Sequence, residues 1–328
     1  ARGRPRAPRP AREIHYSAAE HLPAAGAEPG PLETHTLLRF QEGSREAERR
    51  DRFIGMTLLR HRTFHWDVLE LLRAQVRLRA MLGARWLQAL TPTAQQYREL
   101  TVEFHSTVSY RSTDFLGDDA VTFALGRRMY SMSVPAFAAL TGLYTEEEAR
   151  SPAFELLPRG MQTDTTPTRG VSQIRLEEFW DTIGDCVYTQ SISVTHITDP
   201  VIRYLHRIIA CTILARHDGQ DKCSYRDLFV LYAIVTGTEV NIAAVLLTSL
   251  LKARRPGRDV RLEMGPYIGH LAERLGVFER YPREALTAGP ATDRYSLDEM
   301  RTAGMCPPDE PIRWSEVPRA RPPRPRPT

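Results

Sequence analysis

Apolar residues recur at steps of three and four from Asp51 onward. Leu58, Leu59, Trp66, Leu69, Leu72, Val76 and Met81 fall close to one face of a 3.6-residue period, which predicts helix. Gly83 interrupts the stretch, and ARWLQAL predicts a short helix stopping at Thr91-Pro92. Thr93 to Tyr110 fits another helix, with Tyr97, Leu100, Phe104 and Val108 on one face. The period then changes. VTFAL and RMYSMSV alternate around Gly126-Arg127, the pattern of a small β-hairpin. Ser133 caps a short helix with Pro135 near its start and Gly142 at its end, and TEEE opens the next turn with negative charge.

Residues 151–171 are loop-like and mark a boundary between candidate subdomains 49–150 and 172–285. Helical pattern resumes at LEEFWDTIG and at DPVIRYLHRIIACTILARH, where Asp199 caps and Pro200 takes the first helical position. The greasiest run follows. Leu228 to Leu251 is long enough to cross a bilayer, but Thr236, Gly237, Thr238, Glu239 and Asn241 break it at mid-span, where polar groups are costly in lipid. It reads instead as two buried helices. Ser224 and Asp227 form a capping box, Gly237 ends the first helix, Thr238 caps the second, and Lys252, Arg254 and Arg255 close it. MGPYIGHLAERLGVF adds a helix ended by Gly276, and order thins after Pro282. The expected fold is mainly α: a multi-helix core over 49–285 with one small β-hairpin. A disordered basic arm, residues 1–48, and a Pro/Arg-rich tail, residues 286–328, flank it.

Composition changes this picture in one respect. The chain has 328 residues, 42% hydrophobic and 26% charged, with a formal net charge of +4, so a packed core is affordable and the balance is only mildly basic. Among 44 basic residues, however, only Lys222 and Lys252 are lysines. Arginine in such excess follows from a GC-rich coding sequence; it also suits phosphate, which the guanidinium fork grips in two places. Cys186, Cys211, Cys223 and Cys306 show no C-x-x-C spacing, and no secretory leader opens the sequence. The expectation is a reducing, intracellular setting, cytoplasmic or nuclear, for a piece of a longer reading frame.

Candidate chemistry is sparse. Asp114, Asp118 and Asp119 in DFLGDD could hold Mg²⁺ for metal-dependent nuclease or transposase-like chemistry, although aspartates also make ordinary turns. His61 and His65 are one helical turn apart, but Arg62 stands where a zinc protease needs glutamate. Cys211, His217 and Cys223 lack the close pairing of zinc ligands, and no Cys-Cys-His-Cys knuckle is present. DTIG at 181–184 is not an aspartic-protease motif, and no phosphate loop, dinucleotide fingerprint or nucleophile elbow occurs. The residues imply neither enzyme nor cofactor.

Several phrases, in order, resemble a plant family: YRELTVEFHSTVSY (97–110), VTFALGRRMYSMSVPAFAALTGLYTEEE (121–148), YLHRIIACTIL (204–214), CSYRDLFVLYAIVTGTEVNIAAVLL (223–247) and MGPYIGHLAERLGVF (264–278). Together they resemble the first-open-reading-frame protein of Athila-type retrotransposons, elements of the Gypsy class, over Phe53 to Phe278. The resemblance implies a gag-like, non-enzymatic role in assembly or RNA packaging, with self-association; the interrupted apolar run argues against a membrane, and no small-molecule substrate is inferred. The missing knuckle departs from gag-style RNA binding. Candidate RNA contacts are Arg2, Arg4, Arg6, Arg9 and Arg12 at one end and Arg319, Arg321, Arg324 and Arg326 at the other, held extended by intervening prolines. An alternative is a protein-interaction module whose Pro322, Pro323 and Pro325 dock on an aromatic groove.

Overall fold

The computed structural model describes residues 13–308, apart from residues 18, 25, 163–168, 217–218 and 254–260, and also residues 312–315. The first part of the chain runs α1 (Arg45–Phe53), β1 (Thr57–Leu58), β2 (Arg62–Thr63), α2 (Trp66–Leu71), α3 (Gln75–Ala89) and α4 (Arg98–Thr107). It continues through β3 (Ser109–Tyr110), β4 (Val121–Leu125), β5 (Arg128–Met132), α5 (Val134–Leu140), α6 (Glu146–Arg150) and α7 (Pro152–Leu156). Then come α8 (Gln173–Ile183), β6 (Ile192–Ser193), α9 (Pro200–Cys211), β7 (Lys222–Cys223), α10 (Tyr225–Thr236) and α11 (Ile242–Ala253). The last elements are β8 (Arg261–Leu262), α12 (Gly265–Arg274), β9 (Asp293–Arg294) and α13 (Leu297–Thr302). The molecule is mainly helical, with sheets of two or three short strands.

Helix α4 lies at the centre. Every residue from Glu99 to Thr107 is buried, and α1, β4, α11 and α12 pack around it. One contiguous cluster of buried side chains reaches from Leu32 to Cys306, so candidate subdomains 49–150 and 172–285 share a core. Contacts between α10 and α3 and between α12 and α4 bridge the proposed boundary. No helix among the described residues is long and apolar enough to cross a membrane.

Local chemistry sets most helix ends as expected. Ser133 accepts from the Ala136 amide, Asp199 from the Val201 and Ile202 amides, and Thr145 with Glu148 forms a capping box. Gly237 and Gly276 adopt left-handed φ beyond α10 and α12. The β4–β5 hairpin pairs Val121 with Met132 through Leu125 with Arg128. Gly126 (φ 60°) and Arg127 (φ 59°) form its two-residue turn.

Five expectations need correction. Residues 54–65 are not helical: β1 pairs in parallel with β8, and β2 with β9. Those partners lie more than 190 positions away, beyond the reach of any local period. Helix α4 starts at Arg98, because Gln95 and Gln96 bond to the 289–290 turn instead of propagating helix. The Asn241 carboxamide, not Thr238, receives the Ala244 amide at the start of α11. The hairpin is one edge of a three-stranded sheet, β3-β4-β5, and three further strand pairs exist. The fifth concerns the flanks. Leu37, Leu38 and Phe40 are buried in the first of them, and Leu286, Tyr295, Met300 and Cys306 in the last. The core therefore extends on both sides of residues 49–285. Residues 1–12 and 316–328 lie outside the described residues.

Gly269 shows how tight the centre is. A Cβ at this position in α12 would fall on the Gln95 carbonyl oxygen and near the Ala94 methyl. Gly269→Ala is expected to lower stability by about 1–3 kcal/mol despite alanine's better helix propensity, because overpacking a dense core dominates. The urea midpoint reads this directly.

Candidate functional site

The residues singled out from sequence do not converge. Asp119 pairs with Arg111 at 2.6 Å, Asp114 folds over the Gly117 turn, and Asp118 offers its backbone carbonyl to Ser131. Among the described residues this loop brings no three ligand atoms together. The loop is a turn in which the three aspartates make separate contacts. His61 and His65 also part company. His61 is fully buried with its ring edge toward Tyr267, and burial lowers its pKa to about 4. His65 caps α2, its Nδ1 accepting from the Val68 amide at 3.4 Å. Cys211 and Cys223 are buried thiols; burial raises Cys211 to about 12 and Cys223 well above the usual range. His217 and the nine terminal arginines, Arg2 to Arg12 and Arg319 to Arg326, lie outside the described residues.

Three polar clusters stand out instead. The first is at the start of α10. Asp227 is fully buried, and its carboxylate accepts from the Ser224 amide (2.8 Å) and hydroxyl (2.5 Å). Arg216 approaches it to 2.8 Å, and the buried His206 ring reaches within 3.5 Å from α9. Burial pulls the Asp227 pKa up, but His206, Arg216 and Ser224 outweigh it and hold the group at about 2. The cluster staples α9 and the β7–α10 junction together. The Asp227 and His206 side chains have no exposed surface.

The second cluster centres on Glu103 of α4. Its carboxylate accepts from the Gly126 amide (2.7 Å), the Arg127 amide (2.8 Å) and the Tyr16 hydroxyl (2.8 Å). Arg127, a non-glycine residue at positive φ, is held there by these bonds. Its guanidinium lies 4.3 Å from the Tyr16 ring centre and donates to the Thr36 carbonyl. Arg280 and Tyr281 both donate to Glu20. A segment read from sequence as a free arm is thereby strapped across the hairpin turn.

The third cluster joins the end of α8 to the approach of α9. Asp185, Cys186 and His196 place one potential ligand atom each within 4.8 Å of one another. His196 Nδ1 and the Asp185 carboxylate are 2.7 Å apart. Burial raises the Cys186 pKa, and the adjacent Asp185 carboxylate raises it further. Sequence reasoning passed over this trio because an adjacent Asp-Cys pair and a histidine ten positions on match no common ligand spacing. The two stretches meet at the Gly184–Ile197 bridge, reinforced by the Thr198 hydroxyl donating to the Ile183 carbonyl.

The surface also carries depressions. One, of about 520 Å³, is lined by Pro135, Ala139, Leu140 and Leu275, and its Glu146 and Arg150 pair with each other at 2.9 Å. Set against known proteins, the chain matches no family model, no curated protein and no solved structure.

Proposed function

We propose that this chain is a non-enzymatic, gag-like assembly protein of a plant retrotransposon that binds RNA through its arginine-rich ends. The supporting observation is a division of labour among the arginines. Within the core they serve structure: Arg49 donates to Ser106, Arg203 to Ile197, Arg226 to Ser249 and Arg216 to Lys222. The runs ARGRPRAPRPAR (1–12) and VPRARPPRPRPT (317–328) carry nine arginines spaced by prolines and no acidic residue. Such runs bind phosphate with little sequence preference and strong salt dependence.

RNA affinity across a salt series tests this, comparing the full chain with a variant in which all nine terminal arginines are glutamine. For the native chain, log Kd against log salt should rise with a slope of up to about 6, at roughly 0.7 per neutralised phosphate on a single strand. The variant should lose most of that slope and bind at least about tenfold more weakly at physiological salt. Equal binding by both chains would overturn the reading. Shortening the protein to residues 50–285 would not serve, because it removes buried Leu37, Leu38, Phe40 and Met300.

A further inference from the structure

The Asp185–Cys186–His196 cluster carries a chemistry that the RNA-binding proposal does not use. We propose that these three side chains form a site for a zinc-class divalent cation, with a fourth coordination position open to water.

The donor set selects the metal. One thiolate, one imidazole and one carboxylate suit Zn²⁺ and do not suit Mg²⁺ or Ca²⁺, which prefer all-oxygen shells. The spacing fits as well. Tetrahedral bonds of about 2.0–2.3 Å put neighbouring ligand atoms roughly 3.3–3.8 Å apart, and the three present atoms already lie within 4.8 Å. Small side-chain rotations close the shell. The ion takes the place of the hydrogen now shared by His196 Nδ1 and Asp185, which moves to His196 Nε2 so that the imidazole binds neutral, and the Cys186 proton passes to solvent.

Backbone geometry prepares the site. Trp180 is fully buried, and its indole N–H donates to the Cys186 carbonyl at 2.8 Å. The Asp185 amide donates to the His196 carbonyl (3.1 Å), and the Thr198 amide to the Ile183 carbonyl (2.8 Å). Arg203 clamps the Ile197 carbonyl from α9 at 2.9 Å. A Cβ on Gly184 would strike the Trp180 ring, so only glycine lets the chain turn here and present the next two side chains together. Access is also provided: the His196 side chain is 43% exposed and Asp185 is 18% exposed. The charges favour a dication, since thiolate and carboxylate together outweigh Arg203, the cation whose field acts on Asp185.

Cobalt titration of the tag-free, chelator-treated full chain tests the site, because cobalt reports its ligands optically. The expected result is one Co²⁺ per chain, with a thiolate-to-cobalt charge-transfer band and tetrahedral visible bands, all displaced by Zn²⁺. Cys186→Ala should abolish the charge-transfer band. His196→Ala should weaken binding by more than about tenfold, the loss that even outer-shell partners cause. The Cys186 side chain makes no hydrogen bond that holds the two stretches together, so its alanine variant remains a valid readout if the histidine variant fails to fold. Absence of the band in the native chain, or its persistence in Cys186→Ala, would overturn the proposal.

Discussion

Asp227→Ala is expected to cost about 3–5 kcal/mol of stability, the usual penalty for removing one partner of a buried ion pair. The substitution strips the core of the anion that faces Arg216 and His206, and it deletes half of the α10 capping box. Asp227→Asn, which keeps the shape and one acceptor, should cost less. The acid limb of the stability curve gives a second readout. The folded pKa of about 2 lies below the ordinary value of 3.8, so the carboxylate contributes fully above about pH 4 and loses its contribution as pH falls toward 2. A shift of that size is worth about 2 kcal/mol. Urea unfolding at pH 7 and at pH 3 should therefore show a steeper acid loss for the native chain than for Asp227→Asn. An Asp227→Ala variant within about 1 kcal/mol of native would sink the account.

Glu103→Ala should release the strap. Two hairpin amides and the Tyr16 hydroxyl lose their shared acceptor, and each buried donor left unsatisfied costs about 1–3 kcal/mol. With partial relaxation, a loss of about 3 kcal/mol is expected near pH 5, where the folded carboxyl is protonated, shrinking toward pH 7 as ionisation of the native residue offsets it, together with faster proteolysis N-terminal to Phe40. The pH dependence has the opposite sign to that of Asp227. Burial pushes Glu103 up to about 7 against its three donors and Arg127, whereas the unfolded group titrates near 4.5. Its ionisation therefore opposes folding: stability is highest below pH 4.5 and falls by about 3 kcal/mol as pH rises to 7. Glu103→Gln should flatten that descent. The two titrations occupy separate windows, so a single stability profile resolves them. Unchanged proteolysis in Glu103→Ala would mean the strap is held elsewhere.

Local signals were legible wherever the physics is local. Ser133, Asp199 and the Ser224–Asp227 pair cap helices because a side-chain oxygen within three residues meets an orphan amide. Alternation gave the β4–β5 hairpin because facing residues are near neighbours in sequence. Strands β1 and β2 were hidden because two-residue strands carry no period and their partners lie near the other end of the domain. Buried Leu37, Leu38 and Phe40 were submerged in polar surroundings; their burial depends on α4 and the Glu103 cluster, which no window contains. The cation trio was hidden for the same reason, since the meeting of two stretches creates it. The terminal arginines were legible as composition alone.

The parallel pairing of β1 with β8 has a consequence for biosynthesis. Leu58 must wait for Leu262, roughly 200 positions later, before its strand has a partner. At translation rates of about 5–20 residues per second, that wait is roughly 10–40 s. Throughout it, the apolar faces of α1 to α4 lack α12, α13 and the residues around Met300 that complete the core. A ribosome that stalls before residue 300 would therefore hold a sticky, unfinished chain, and a cell making this protein in quantity would need chaperones at the exit tunnel.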